Sequence, residues 1–151
     1  MKAFLDTPVF DWFLDSGQAE ALKLVATRVR LVTGPEVAIE VRRAPPDKRA
    51  KLEELLALCF PLVPTRLPRA GMARSGLARV ATPAGEALHA KLAALPAVNK
   101  LDPTHLLNCA AERCDVFVTC DKRVLNKAAV LSEFCGFTVV HPKTFLRSAP
   151  T

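Results

Sequence analysis

Short apolar runs that are rich in β-branched and aromatic residues recur along the chain, and they predict the strands of a sheet. The best defined run is Val116–Thr119, whose composition is typical of a strand buried on both faces. Strands of that kind belong to parallel sheets that helices cover on each side. The other predicted strands are Lys2–Leu5, Val29–Val32 and Phe137–Val140. The pattern therefore predicts the α/β class.

Longer segments with apolar residues at helical spacing lie between these runs and predict helices. Pro and Gly residues mark several of the expected helix starts and ends. The predicted helices are Val9 to about Thr27 with a break at Gly17, a helix opened by Pro35, Lys48–Phe60, Pro83–Leu95, a helix capped by Asp102 with Pro103 in its first position, and a helix around Leu125–Phe134 that ends at Gly136.

Two predicted strands are each followed by an aspartate, which makes their shared edge a candidate site. Asp6 follows Lys2–Leu5, and Asp121 follows Val116–Thr119. Parallel strands deliver both residues to the carboxyl edge of the sheet, where ligands bind in open α/β folds. Two carboxylates at one place repel each other unless a cation bridges them or one is protonated. Oxygen ligands of this kind suit Mg²⁺ or Mn²⁺.

Two aspartates, Asp121 and Asp102 (which precedes the predicted helix that begins at Pro103), also have a simpler explanation. Asp102 can serve only as a helix cap, and Asp121 can serve only to begin a turn. Glu36 and Glu40 pose a related choice, because they lie one turn apart on one face of the helix that Pro35 opens. Either glutamate could point at the carboxyl edge, although Glu36 is also placed to interact with the helix dipole. The spacing alone leaves both choices open.

Composition narrows the class of protein further. The 151 residues support one domain, which we expect to span residues 1–148, with a basic, partly irregular helical segment at about 45–100. No apolar run is long enough to cross a membrane and the amino terminus lacks a signal pattern, so the sequence predicts a cytoplasmic protein. Five cysteines without a CxxC pair predict reduced thiols in apolar surroundings.

The net charge of +6 is concentrated in one part of the chain. From Arg42 to Lys100 there are eleven Lys or Arg residues against four acids, whereas the remaining residues carry nearly balanced charge. A basic segment beside an acidic, metal-binding edge suits a phosphate-bearing polymer, because released counterions favour its association. The alternative is a solvated, arginine-rich surface. The carboxylates favour nucleic acid as the partner.

Taken together, five segments resemble the PIN-domain nucleases, the family that includes the VapC-type toxin ribonucleases of toxin–antitoxin pairs. The segments are FLDT at Phe4–Thr7, VAIEV at Val37–Val41, DPTHLLNCA at Asp102–Ala110, VTCD at Val118–Asp121 and VVHPKTFL at Val139–Leu146. The resemblance spans most of the chain, with only a loose fit between Pro45 and Lys100. It implies a three-layer α/β/α fold around a central parallel sheet, with a helical middle segment.

The resemblance also implies a chemistry and a set of residues. It implies a metal-dependent endoribonuclease that uses Mg²⁺ or Mn²⁺ to hydrolyse RNA, as the toxin of a toxin–antitoxin pair does, with a cognate antitoxin and a homodimer as further expected partners. The residues implied as catalytic and metal-binding are Asp6, Glu40, Asp102 and Asp121, with Thr119 orienting a carboxylate or water. Many relatives place a further acid soon after the last one, whereas Lys122, Arg123 and Asn126 follow here. The alternative prediction is a PIN-fold module that binds RNA or protein without turnover.

Overall fold

The four apolar runs form one sheet in which every strand is parallel to its neighbours. The structure, a computed structural model, describes residues 1–59, 83–94 and 104–150. Within that part of the chain the strands are β1 (Lys2–Leu5), β2 (Arg30–Val32), β3 (Val116–Val118) and β4 (Thr138–Val140), in the order β2-β1-β3-β4. The predicted α/β class and parallel sheet are confirmed.

Side chains alternate between the two faces of the sheet and enter two separate apolar layers. Ala3 and Leu5 of β1 pack with one cluster, whereas Phe4 packs with the other. In β3 the same alternation sends Val118 to the first cluster and Phe117 to the second. Since each cluster also contains helix residues, the sheet is the middle layer of an α/β/α arrangement.

Helices cover both faces of this sheet. The first apolar layer takes residues from the four helices that precede residue 60 and from the last helix, and the second layer takes residues from the helices between. The described helices are α1 (Thr7–Asp15), α2 (Ala19–Ala26), α3 (Pro35–Arg42), α4 (Pro46–Ala57), α5 (Pro83–Ala94), α6 (Thr104–Ala111), α7 (Lys122–Leu125), α8 (Ala128–Cys135) and α9 (Pro142–Ser148). None of the helices described is long and apolar enough to span a bilayer.

Most predicted helices are found, and the break at Gly17 is confirmed because that residue adopts a φ of 68° between α1 and α2. The prediction of one helix around Leu125–Phe134 is wrong in its extent. Asp121 accepts a hydrogen bond from the Arg123 backbone N–H and so caps a separate short helix, α7, that begins at Lys122. The chain then turns before α8, which ends at Gly136 in the left-handed conformation, as predicted. Of the basic, partly irregular segment predicted at about 45–100, residues 60–82 and 95–100 lie outside the described residues.

The strand order creates a switch point between β1 and β3. From β1 the chain proceeds to β2 on one side, and from β3 it proceeds to β4 on the other side. Helices that follow the two central strands therefore diverge, which opens a crevice at the carboxyl ends of those strands. The residues that follow directly are Asp6 after β1 and Thr119 after β3.

Candidate functional site

Asp6 lies at the switch point and is the best-defined group of the site. The residue is 9% exposed, and one oxygen of its carboxylate, Oδ1, caps α1 by accepting the Thr7 N–H at 2.9 Å. Its other oxygen, Oδ2, accepts the hydroxyl of Thr119 at 2.6 Å. No Lys or Arg of residues 1–59, 83–94 and 104–150 pairs with this carboxylate. In the described part of the chain, this mostly buried carboxylate at the switch point therefore has hydrogen bonds but no Lys or Arg partner.

Thr119 connects Asp6 to the end of the neighbouring strand. Its hydroxyl donates to Asp6 and accepts the backbone N–H of Asp121 at 3.0 Å, while its own backbone N–H donates to the Val140 carbonyl. Thr119 is completely buried, so these bonds fix the direction of its hydroxyl. Thr119 thus holds one oxygen of the Asp6 carboxylate in a fixed direction, and a catalytic role for Thr119 stays a prediction.

Glu36 lies in the first turn of α3, beyond the carboxyl end of β2 and near α6. A Cβ atom added to Gly34 would come within 2.5 Å of the Glu36 carboxylate and 3.3 Å of the Asn108 side-chain amide. Gly34 therefore leaves room for these two groups to approach each other over the start of α3. Glu36 is half-buried there, whereas Glu40, one turn further along α3, is exposed. The geometry brings Glu36, rather than Glu40, into the polar cluster around Asn108.

His105 and Cys120 are the remaining polar neighbours of Asp6. The His105 Nε2 atom lies 3.8 Å from the Asp6 Oδ1 atom, and its ring packs against Phe4. Its Nδ1 atom is buried and has no hydrogen-bond partner among the described residues. Burial raises the pKa of the Cys120 thiol to about 11, with a further contribution from the Asp6 carboxylate, so this residue is a neutral thiol at physiological pH.

Asp121 is engaged by a neighbour, unlike Asp6. The Arg123 guanidinium donates to both of its carboxylate oxygens, with the shortest contact 2.7 Å between Arg123 Nη2 and Asp121 Oδ2. This pairing holds the pKa of the Asp121 carboxyl below its ordinary value. The Arg123 side chain is 76% exposed, so the pair is a solvent-facing bridge. Asp121, which the sequence analysis expected to bind a cation together with Asp6, therefore already has a cationic partner.

We expect Arg123→Gln to reduce stability at neutral pH and to have no effect in strong acid. The folded-state pKa of Asp121 lies below its unfolded-state value, so its contribution is fully present above the unfolded pKa and disappears as the pH falls through the folded pKa. The free energy of unfolding in urea, measured at neutral pH and below about pH 3, tests this difference. Arg28→Gln, at an exposed arginine, is the control that should leave the pH dependence unchanged. The same loss at both pH values would contradict the assignment.

The donor set fits a hard divalent cation only in part. Mg²⁺ is usually held by one or two carboxylates together with water and substrate phosphate, so Asp6 and one further acid would be sufficient. The described residues contain no group of three or more His, Cys, Asp or Glu side chains that could hold a metal ion. Asp102, the predicted third acid, lies outside those residues, as do Arg66, Arg69, Arg74 and Arg79 of the basic segment.

Sequence reasoning missed Asn108 and Thr33, which support the crevice. Asn108 is completely buried on α6, and Thr33 donates its hydroxyl to the Leu5 carbonyl at 2.7 Å, next to Asp6. Asn108 stands among the apolar positions of its helix, and that is the signal that identifies it.

Comparison with known proteins adds no family to this geometry. No protein-family model matches the chain, and no curated protein and no solved structure shows significant similarity to it. The fold and the site define an α/β protein with a carboxylate at the switch point of a parallel sheet.

Proposed function

We propose that this protein is a metal-dependent endoribonuclease of the PIN type that hydrolyses RNA phosphodiester bonds with Mg²⁺ or Mn²⁺. The observation that supports the proposal most directly is the placement of Asp6. Its carboxylate is buried at the switch point, is oriented by Thr119, and lacks a Lys or Arg partner in the described part of the chain. A group of this kind is suited to holding a cation.

Asp6 would hold the cation together with Asp102 and one glutamate of α3. When bound, a divalent cation lowers the pKa of a coordinated water and neutralises charge on the phosphate oxygens. Thr119 keeps the Asp6 Oδ2 atom in a fixed direction through its 2.6 Å hydrogen bond. Lys122 is exposed at the first position of α7, near the carboxyl end of β3, and would attract the phosphate backbone towards this edge.

Cleavage assays with and without a chelator test this function. Purified protein is incubated with single-stranded and structured RNA in Mn²⁺ or Mg²⁺, and then in excess chelator. We expect cleavage with either cation, loss of cleavage in the chelator, and recovery when the cation is restored. Cleavage that persists in the chelator would contradict a metal-dependent reaction.

Glu36 and Glu40 can be separated by a matched pair of substitutions. We expect Glu36→Gln to lower the cleavage rate roughly 10- to 100-fold, a loss of the size seen when a group that supports a metal site is removed. Glu40→Gln, on the exposed part of the same helix, should change the rate less than about twofold. Initial rates at saturating Mn²⁺ are the measurement. A larger loss for Glu40→Gln would identify that residue as the second acid.

The alternative proposal is a PIN-fold module that binds RNA or protein without turnover. The bridge between Asp121 and Arg123 favours this alternative, because a guanidinium already neutralises one of the predicted acids. Binding of RNA that is insensitive to Mn²⁺ and is never followed by cleavage would select it. A role as the toxin of a toxin–antitoxin pair, a cognate antitoxin, a homodimer and a cytoplasmic location stay predictions.

A further inference from the structure

His141 presents a fixed imidazole ring at the same edge of the sheet as Asp6. It follows β4 directly, and its Nδ1 atom accepts the Lys143 backbone N–H at 3.1 Å, which caps α9. In the neutral ring the proton therefore resides on Nε2. Because the cap fixes one side of the ring, the partly exposed remainder can contact a ligand without losing much side-chain entropy.

Trp12 meets this ring from α1, the helix that Asp6 caps. The two ring centroids are 5.4 Å apart and the planes are nearly perpendicular. Phe13 packs edge-on against the other part of the indole, with a centroid distance of 5.1 Å. Trp12 is thus held by two neighbours and remains partly exposed at the edge where Asp6 and His141 lie. It is the single tryptophan of the chain.

Exposed basic side chains lie at the β3–β4 half of the edge, and Lys143 is only two residues beyond His141. Lys122 and Arg123 follow β3, Lys143 follows β4, and all three side chains are exposed. The carboxylate of Asp6 stands at the other half, at the end of β1. Fixed aromatic rings beside basic side chains are the combination with which proteins bind single-stranded nucleic acid, since the rings stack bases and the charges hold phosphates.

We infer that Trp12 and His141 form a stacking site for a nucleobase of a single-stranded nucleic acid, whose backbone lies along Lys122 and Lys143. The inference rests on the proposed function for the identity of the polymer as RNA, and it adds where the strand binds relative to Asp6. A base stacked on this pair places the adjoining backbone along the carboxyl edge, towards the switch point.

The fluorescence of Trp12 reports this contact directly. In excess chelator, so that no cleavage occurs, the protein is titrated with adenosine 5′-monophosphate, ribose 5-phosphate and a short oligoadenylate. We expect saturable quenching by the nucleotide and tighter, salt-dependent quenching by the oligonucleotide, but none by the sugar phosphate, which lacks a base. Equal quenching by ribose 5-phosphate, or an oligonucleotide that binds no more tightly than the nucleotide, would overturn the inference.

Four variants, one of them a control, separate stacking from folding and from charge. His141→Asn keeps a side-chain acceptor that can cap α9 and should weaken oligonucleotide binding roughly 5- to 150-fold, the range for loss of one stacking ring. Trp12→Leu should weaken oligonucleotide binding to a similar extent. Because this variant has lost the tryptophan, its binding is measured by the fluorescence anisotropy of a labelled oligonucleotide. Lys143→Gln should reduce the salt dependence of oligonucleotide binding. Lys51→Gln, at an exposed position of α4, should leave that salt dependence unchanged. Unchanged affinity in both ring variants, with native circular dichroism, would overturn the site.

The same titrations distinguish this inference from the proposed function. Quenching with no cleavage in Mn²⁺ would reject the nuclease and retain the stacking site. Cleavage with no quenching would reject the stacking site and retain the nuclease. A matched oligodeoxyadenylate identifies the source of the base, because tighter binding of the ribose form assigns RNA and equal binding extends the site to single-stranded DNA.

Discussion

Asp6→Asn is expected to lower RNA cleavage by about 10³-fold, which corresponds to about 4 kcal/mol of transition-state stabilisation. The substitution keeps the size of the side chain and an oxygen that can accept the Thr7 N–H, so the cap of α1 is retained. It removes the negative charge at the switch point, where the cation is proposed to bind. The measurement is the single-turnover cleavage rate in Mn²⁺, together with the circular dichroism spectrum of both proteins.

Asp47→Asn is the matched control for this loss. Asp47 is an exposed aspartate in the first turn of α4 and has no part in the proposed site. The cleavage rate of Asp47→Asn should stay within about twofold of that of the unsubstituted protein, as is usual for surface substitutions away from a site. If Asp6→Asn were as active as Asp47→Asn, the proposed role of Asp6 would be wrong.

Phe117→Ala is expected to destabilise the fold by about 3–5 kcal/mol. Phe117 is 2% exposed in the central strand β3, and its ring packs against Phe4 at a centroid distance of 5.7 Å and against Phe137 at 5.9 Å. Truncation leaves a cavity between the sheet and the helices that the close-packed core cannot fully close. The free energy of unfolding from urea denaturation measures the effect.

Phe134 provides a control of the same residue type. It lies on α8 with 39% of its surface exposed, and Phe134→Ala should cost less than about 1 kcal/mol, because little apolar area is lost from the core. Similar losses for the two phenylalanines would contradict the assignment of Phe117 to the buried layer between the sheet and its helices.

The local elements were predictable because each depends on a short stretch of sequence. The run at Val116–Val118 and the turn at Gly136 carry their own signals of strand and helix end. The placement of Asp6 at the carboxyl edge also followed, since it comes directly after a strand of a parallel sheet. The order of the strands in the sheet could not be predicted from the sequence, because apolar runs of similar composition do not specify which strands pair.

The fine geometry of the site depends on contacts that spacing does not encode. Glu36 and Glu40 share a helix face, so only the position of α3 against Asn108 distinguishes them. The bridge from Arg123 to Asp121 depends on the start of α7, where Asp121 is the helix cap. Trp12 and His141 lie near opposite ends of the chain, and tertiary packing alone brings their rings together.

Asp121 and Asp6 therefore differ in what they can offer a cation. Asp121 faces solvent with Arg123 on both of its oxygens, whereas Asp6 is buried and bonded to a neutral hydroxyl. A cation at the switch point would depend on Asp6 first, and Asp121 would contribute only after Arg123 moves away. This difference predicts that Asp6 and Asp121 variants will differ in metal affinity.

Calorimetric titration of Mn²⁺ into the protein and into Asp6→Asn tests the cation site most directly. We expect saturable binding to the unsubstituted protein and affinity at least about a hundredfold weaker in Asp6→Asn, with a smaller loss in Asp121→Asn. Equal affinity in the unsubstituted protein and Asp6→Asn, or no saturable binding to either, would contradict a cation site at Asp6.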